Sequence, residues 1–184
     1  CMATMFKLES DVNDWVKKQL AKLNFKKLVD YNEESAMSDY MREALKGSAK
    51  TKNKSNFGRP DFHIEKYAVP IIIEDKLGVK HHQAVNKSGI RMDEKAIRDY
   101  AVNGVIYYAK NMIASKKYDE VIAIGISGDN ESNIKISVFY VFSPTIEPKE
   151  MKNYTSLNFV ENKDSFNQFY KDATVTEAER HSIL

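Results

Sequence analysis

The sequence predicts an α/β or α+β domain, a sheet layered with helices. Two observations carry this. Helix-period stripes and strand-like runs succeed each other in the order helix, helix, hairpin, long helix, two strands. The chain of 184 residues, 42% hydrophobic and 29% charged, also suits one compact core.

The elements follow in order. Residues 10–24 place Val12, Trp15, Val16, Leu20 and Leu23 on one helical stripe, with Ser10 placed to cap the helix and Asn24 to end it. Asp11 and Asp14 near its start and Lys17, Lys18 and Lys22 near its end suit the helix dipole. A second helix over 31–46 aligns Met37, Tyr40, Met41, Ala44 and Leu45 and stops at Gly47. Residues 46–60 switch to Lys, Ser, Asn, Thr and Gly, with Phe57 as the sole large apolar residue, which reads as a flexible basic loop.

Residues 61–65, with Phe62 and Ile64 on one face, and the apolar run 69–76 predict a hairpin turning at Lys66-Tyr67-Ala68. Residues 93–115 carry two apolar stripes, so this long helix should cover the sheet and pack on both sides, with Gly104 marking a close approach. Strands at 120–127 and 133–142 flank the turn-rich Gly128-Asp129-Asn130. The pattern then weakens, with short helices expected around 165–170 and 176–183. The expected division is a core over 1–142 and an extension or linker over 143–184 leading to a further domain.

Composition removes several classes. Cys1 is the single cysteine, which excludes a disulfide framework and a cysteine zinc ribbon. Apolar runs such as Ile71-Ile72-Ile73 are far below the roughly 18 residues of a membrane span, and no signal-peptide core follows the start, so a soluble cytoplasmic protein is expected. There is no phosphate loop, G-x-G-x-x-G turn, G-x-S-x-G elbow or H-E-x-x-H helix. With 28 Lys and Arg against 26 Asp and Glu, the net charge of +2 gives no reason by itself to expect nucleic acid. The distribution is uneven, however: residues 44–60 hold five cations and no acid, which leaves about −3 elsewhere.

Pro60-Asp61 opens one strand of the hairpin and Glu74-Asp75-Lys76 closes the other. A strand alternates faces, so Glu74 and Lys76 share a side while Asp75 points away, and antiparallel pairing brings Asp61 across from them. Asp61 and Glu74 offer hard oxygen ligands for Mg²⁺, with the Asp75 backbone carbonyl as a further one, and Lys76 could orient a water and offset developing negative charge. That chemistry is phosphodiester hydrolysis. Acid-x-Lys alone says little, since it recurs at 93–95, 147–149, 150–152 and 161–163. Only the copy at 74–76 ends an apolar strand with Pro-Asp 13 residues before it. Beside such a cluster, Lys50, Lys52, Lys54 and Arg59 become candidates for contact with the DNA backbone. His81-His82 reads as a polar-loop pair, since adjacent histidines rarely share one ion, and His63 as a half-exposed strand residue.

These segments resemble the PD-(D/E)XK nuclease superfamily over residues 9–142. Within it the chain is most similar to the N-terminal nuclease modules of bacterial restriction-modification enzymes, through Met41-Arg42-Glu43-Ala44-Leu45-Lys46, Gly58-Arg59-Pro60-Asp61-Phe62, Ile71-Ile72-Ile73-Glu74-Asp75-Lys76, Tyr100-Ala101-Val102, Tyr107-Tyr108-Ala109-Lys110 and Ile122-Ala123-Ile124-Gly125-Ile126-Ser127-Gly128. The resemblance implies a restriction-endonuclease-like α/β core with a central mixed β-sheet flanked by helices, and an endonuclease dependent on Mg²⁺, or alternatively Mn²⁺, acting on double-stranded DNA. Asp61, Glu74 and Lys76 would be catalytic and Asp61, Glu74 and Asp75 would meet the metal. A helicase (type I) or a methyltransferase (fused type IIG) would lie downstream, and two copies would pair transiently for double-strand cleavage.

The chain departs from the pattern in carrying Asn103-x-x-x-Tyr107 where type I relatives often have Gln-x-x-x-Tyr. Glu9, Glu34 and Glu43 all compete to be the upstream helix acid, and Asn103 and Tyr107 have no assigned role. Two other readings stay open: a catalytically inactive nuclease-like module that binds DNA or a partner, and a junction resolvase or repair nuclease.

Overall fold

The computed structural model describes residues 3–50 and 56–175. Its centre is a six-stranded mixed sheet in the order β1-β2-β3-β6-β7-β8, formed by β1 (Asn32–Glu33), β2 (Phe62–Ile64), β3 (Ile71–Leu77), β6 (Val121–Asn130), β7 (Asn133–Val141) and β8 (Lys149–Glu150). The β2–β3 hairpin is antiparallel, with Phe62 opposite Ile73 and Ile64 opposite Ile71. β3 and β6 run parallel, with Glu74 opposite Gly125 and Lys76 opposite Ser127. β4 (Val85–Asn86) and β5 (Gly89–Ile90) form a separate two-stranded ladder.

Among the described residues five α-helices accompany the sheet: α1 (Glu9–Lys22), α2 (Asp39–Ala44), α3 (Glu94–Asp99), α4 (Ala101–Ala114) and α5 (Lys163–Thr174). α1 starts without the Ser10 cap. The Asp11 carboxylate instead reaches back to accept the N–H groups of Lys7 (2.8 Å) and Leu8 (2.9 Å), two donors that the first turn cannot satisfy itself. α1 ends at Leu23, and Asn24 takes a positive φ of 61°, so the expected stop holds.

The predicted second helix is much shorter than 31–46. Asn32 and Glu33 pair with His63 and Phe62, so this stretch becomes an edge strand, and the helix starts only after Ser38, whose Oγ accepts the Met41 N–H at 3.1 Å. Sheet pairing outweighed the helical stripe. The predicted single helix over 93–115 is two helices broken at Tyr100 (φ −124°, ψ 134°). There the Val102 N–H donates to the His82 carbonyl at 2.9 Å, which ties the start of α4 to the segment after β3. Gly104 does mark a close approach: a Cβ on it would stand 2.8 Å from the Ile97 carbonyl and 2.4 Å from Lys50 Nζ. Gly128, Asp129 and Asn130 are not the turn but the irregular end of β6, with a register shift between 128 and 130.

The sheet divides two cores. On one side Val12, Val16 and Leu20 of α1 meet Phe62, Ile64, Ile71, Ile73, Ile122 and Ile124. On the other, Val102, Val105, Ile106 and Met112 of α4 and Met41 of α2 meet Ile72, Ala123 and Phe139. Alternation along β3 and β6 accounts for both sets. The boundary at 142 needs correcting: β8 pairs with β7, and Leu157, Phe159, Phe166 and Phe169 lie in the α1-side core. The described part of the tail therefore completes this domain, because its aromatic residues cover apolar sheet that would otherwise face water. The expected helix over 176–183 lies outside the described residues. Among the described residues, no helix is long and apolar enough to cross a membrane.

Candidate active site

Asp61 lies one residue before β2, where the hairpin pairing stops while β3 runs on through Glu74, Asp75 and Lys76. Side chains continue the ladder there. The Asp61 N–H donates to Glu74 Oε1 at 2.9 Å, and the Asp75 N–H donates to Asp61 Oδ2 at 2.8 Å. Because the N–H and C=O of one strand residue point the same way, the Asp75 carbonyl also faces Asp61. The alternation that put Glu74 and Asp75 on opposite faces of β3 did not foresee this edge. From its position at the edge Asp61 reaches both faces, and its carboxylate, that of Asp75 and that of Glu9 have oxygens all within 4.8 Å of one another. The Asp75 side chain thus belongs to the cluster. The Asn13 amide, turned so that its nitrogen faces the carboxylate, donates to Asp75 at 2.9 Å.

Of the three upstream acids, Glu9 is the one at the site, carried there as the first residue of α1. Its Oε1 lies 3.6 Å from Lys76 Nζ, which brings Lys76 to the same cluster. Glu34 is exposed at φ 48°, and its carbonyl accepts from His63 Nε2 at 2.9 Å; Glu43 is exposed on α2. Asn13 was missed because its short polar side chain on a helix carries no signal until Asp75 is placed opposite it.

The basic residues divide. Lys50 is not a solvent-facing DNA contact: its ammonium is turned inward, 2.6 Å from Glu74 Oε2 and 4.5 Å from the Tyr108 ring centroid. Lys52 and Lys54 lie outside the described residues. Arg59 is exposed next to the cluster, its guanidinium 5.0 Å from the Phe57 ring centroid, and Arg42, which the sequence did not single out, lies 4.9 Å from the same ring.

The remaining candidates are structural. Asn103 Oδ1 accepts the Ala84 N–H, and its Nδ2 donates to the carbonyls of Ala84 and Arg91, so its bonds pin the segment carrying β4 and β5 to α4. Tyr107 packs on Tyr108 with centroids 5.8 Å apart. His82 is buried between the hydroxyls of Ser127 and Ser137 at 2.8 Å each, and burial lowers its pKa to about 4. It is therefore neutral at physiological pH, as is suited to a position inside the fold. His63 is 1% exposed, not half-exposed.

Burial, and then the charge of Glu74, raises the Asp61 pKa to about 8. Burial raises Asp75 to about 9, helped by Asp61 and Glu74. Crowded carboxylates of this kind hold protons at neutral pH unless a cation replaces them. Hard oxygens from Glu9, Asp61 and Asp75 at this spacing, beside Glu74, fit a divalent ion of the Mg²⁺ type. Since both folded pKa values lie above the unfolded value of 3.8, the unfolded chain binds fewer protons between these limits. Stability from this source is complete below about pH 4 and is lost as pH rises through about 8 to 9. Thermal melts in EDTA from pH 5 to 9 should therefore fall, with Mg²⁺ restoring most at the alkaline end. Asp75→Asn should flatten the profile only in part, because Asp61 keeps its own raised pKa, and a rising wild-type profile would contradict the assignment.

Fold and cluster together define an α/β mixed-sheet domain with an acidic, lysine-flanked site at the edge of its central hairpin. The chain is 34% identical over 151 residues, 81% of its length, to "Type II restriction enzyme and methyltransferase RM.BcgI" of Heyndrickxia coagulans, which relates it to restriction-modification proteins. It spans 23% of the length of that protein. No family model and no solved structure matches it.

Proposed function

We propose that this chain is the metal-dependent endonuclease portion of a restriction-modification enzyme, with a PD-(D/E)XK site on a restriction-endonuclease-like core, and that it hydrolyses phosphodiester bonds of double-stranded DNA. The observation that carries the reading is the reciprocal clasp between Asp61 and Glu74-Asp75, with Glu9 and Lys76 brought to it from α1 and β3. The resemblance to an enzyme named for both restriction and methylation supports a methyltransferase as the downstream partner over a helicase.

Glu9, Asp61 and Asp75 would hold Mg²⁺, or Mn²⁺, beside Glu74; the ion supplies Lewis-acid polarisation of the phosphate and acidifies water. The residues of the chain set the geometry. The Asp75 N–H orients the Asp61 carboxylate, and Glu74 holds the Asp61 backbone in turn. Lys76, partly exposed beside Glu9, orients the attacking water and offsets the charge that builds on the phosphate. Arg59 and Arg42, with Lys52 and Lys54, contact the DNA backbone, which positions the duplex without reading its sequence. Two copies pair for double-strand cleavage.

The test is incubation of supercoiled and linear DNA with the purified protein in Mg²⁺, in Mn²⁺ and in EDTA. Nicking or cutting that needs the divalent ion is expected. Intact DNA under both metals overturns the reading, and strong preference for a four-way junction over linear duplex would favour the resolvase alternative.

A further inference from the structure

Lys50 has a seat built for it by three parts of the fold. Its ammonium meets Glu74 Oε2 at 2.6 Å, its side chain is 12% exposed, and the Tyr108 ring lies 4.5 Å from Nζ. The floor of the seat is Gly104, where any Cβ would come within 2.4 Å of that ammonium. Burying an ammonium is unfavourable unless it is matched by charge and hydrogen bonds, so a lysine held this way in an otherwise polar, basic loop points to a task inside the site.

The task follows from charge and from the oxygens left free. When ionised, the carboxylates of Glu9, Asp61, Glu74 and Asp75 stand, among the described residues, against two lysines, Lys76 and Lys50, for a net −2. One divalent ion balances that. Glu74 already accepts a donor on each oxygen, the Asp61 N–H on Oε1 and Lys50 on Oε2. In two-metal sites the ions lie about 3.5–4 Å apart and share acidic ligands, and on the Glu74 side that place is taken by Lys50.

We propose that Lys50 is a positioning residue that stands in for a second divalent ion at Glu74, so that the site binds one metal ion and not two. The inference rests on the metal site of the nuclease reading. With Lys50 made neutral, the site carries −3, and Glu74 Oε2 is open to a second cation.

The test counts Mn²⁺ ions bound to the full chain by titration calorimetry and by electron paramagnetic resonance, without DNA. Wild type should bind one ion, Lys50→Met two, and the double variant Lys50→Met/Glu74→Gln one again. Two ions on wild type overturn the inference. So does a Lys50→Met protein that binds one ion with an affinity within about threefold of wild type, since altered partners of metal ligands usually change affinity by 10–100-fold. If Lys50→Met folds poorly, Lys50→Gln is counted in its place, with two ions again expected and one overturning the inference. No Mn²⁺ bound to wild type overturns the metal site itself, a failure distinct from a count of two.

Discussion

Asp61→Asn should lower Mg²⁺-dependent DNA cleavage by about a thousandfold while leaving the fold intact. Asparagine keeps the shape and an oxygen that can still accept the Asp75 N–H, now 2.8 Å from Asp61 Oδ2, so the clasp has a means to persist. What disappears is the charge. Among the described residues no ion pair forms on this carboxylate, and burial with Glu74 beside it raises its pKa to about 8. Removing that ionisable group relieves repulsion, so the melting temperature of the metal-free variant at pH 8 should hold or rise as activity falls. Opposite movement of the two readouts separates a functional loss from a structural one. Undiminished cleavage would remove Asp61 from the site.

Phe169→Ala should be the most destabilising of the simple core truncations in the tail, by about 3–5 kcal/mol, lowering the melting temperature by roughly 10 °C. Phe169 on α5 is fully buried, stacked on Phe159 with centroids 4.2 Å apart and edge-on to Tyr154 at 4.8 Å. Those rings join the core of α1 and the sheet, so the cavity would open inside the domain. A cost below about 1 kcal/mol in a denaturant titration would mean that the tail is an appendage, because buried Phe→Ala changes cost several times more.

Much of the site was legible because its signals are local. Pro60-Asp61 and Glu74-Asp75-Lys76 sit on neighbouring strands of a short hairpin, so strand alternation and a tight connection suffice to bring Asp61 to Glu74. The Asp75 carboxylate was placed wrongly because alternation describes the faces of a strand, and Asp61 acts from an edge. The acid of the upstream helix stayed open among Glu9, Glu34 and Glu43 because the sequence does not say which helix end meets the hairpin. Lys50 read as a contact with the DNA backbone because its seat is made by Gly104, Tyr108 and Glu74, between 24 and 58 residues away in the chain.

The misread elements share this cause. Asn32 and Glu33 fell within the span expected to be helical but found a sheet edge, and Tyr100 breaks a continuous apolar pattern where Val102 bonds His82. The tail lacks a clear period, yet its aromatic residues fill the α1-side core.

By itself the sequence determined the α/β class, the hairpin, the first helix, a later helix over the sheet and the approach of Asp61 to the acidic, lysine-bearing end of the next strand, since all of these depend on periodicity and short connections. Only the tertiary structure decided that Glu9 and the Asp75 carboxylate join Asp61, that Lys50 turns inward to Glu74, and that the tail belongs to the core. Each of those requires desolvating a charge or an aromatic ring against residues distant in the chain, and the free energy of that step depends on which surfaces meet.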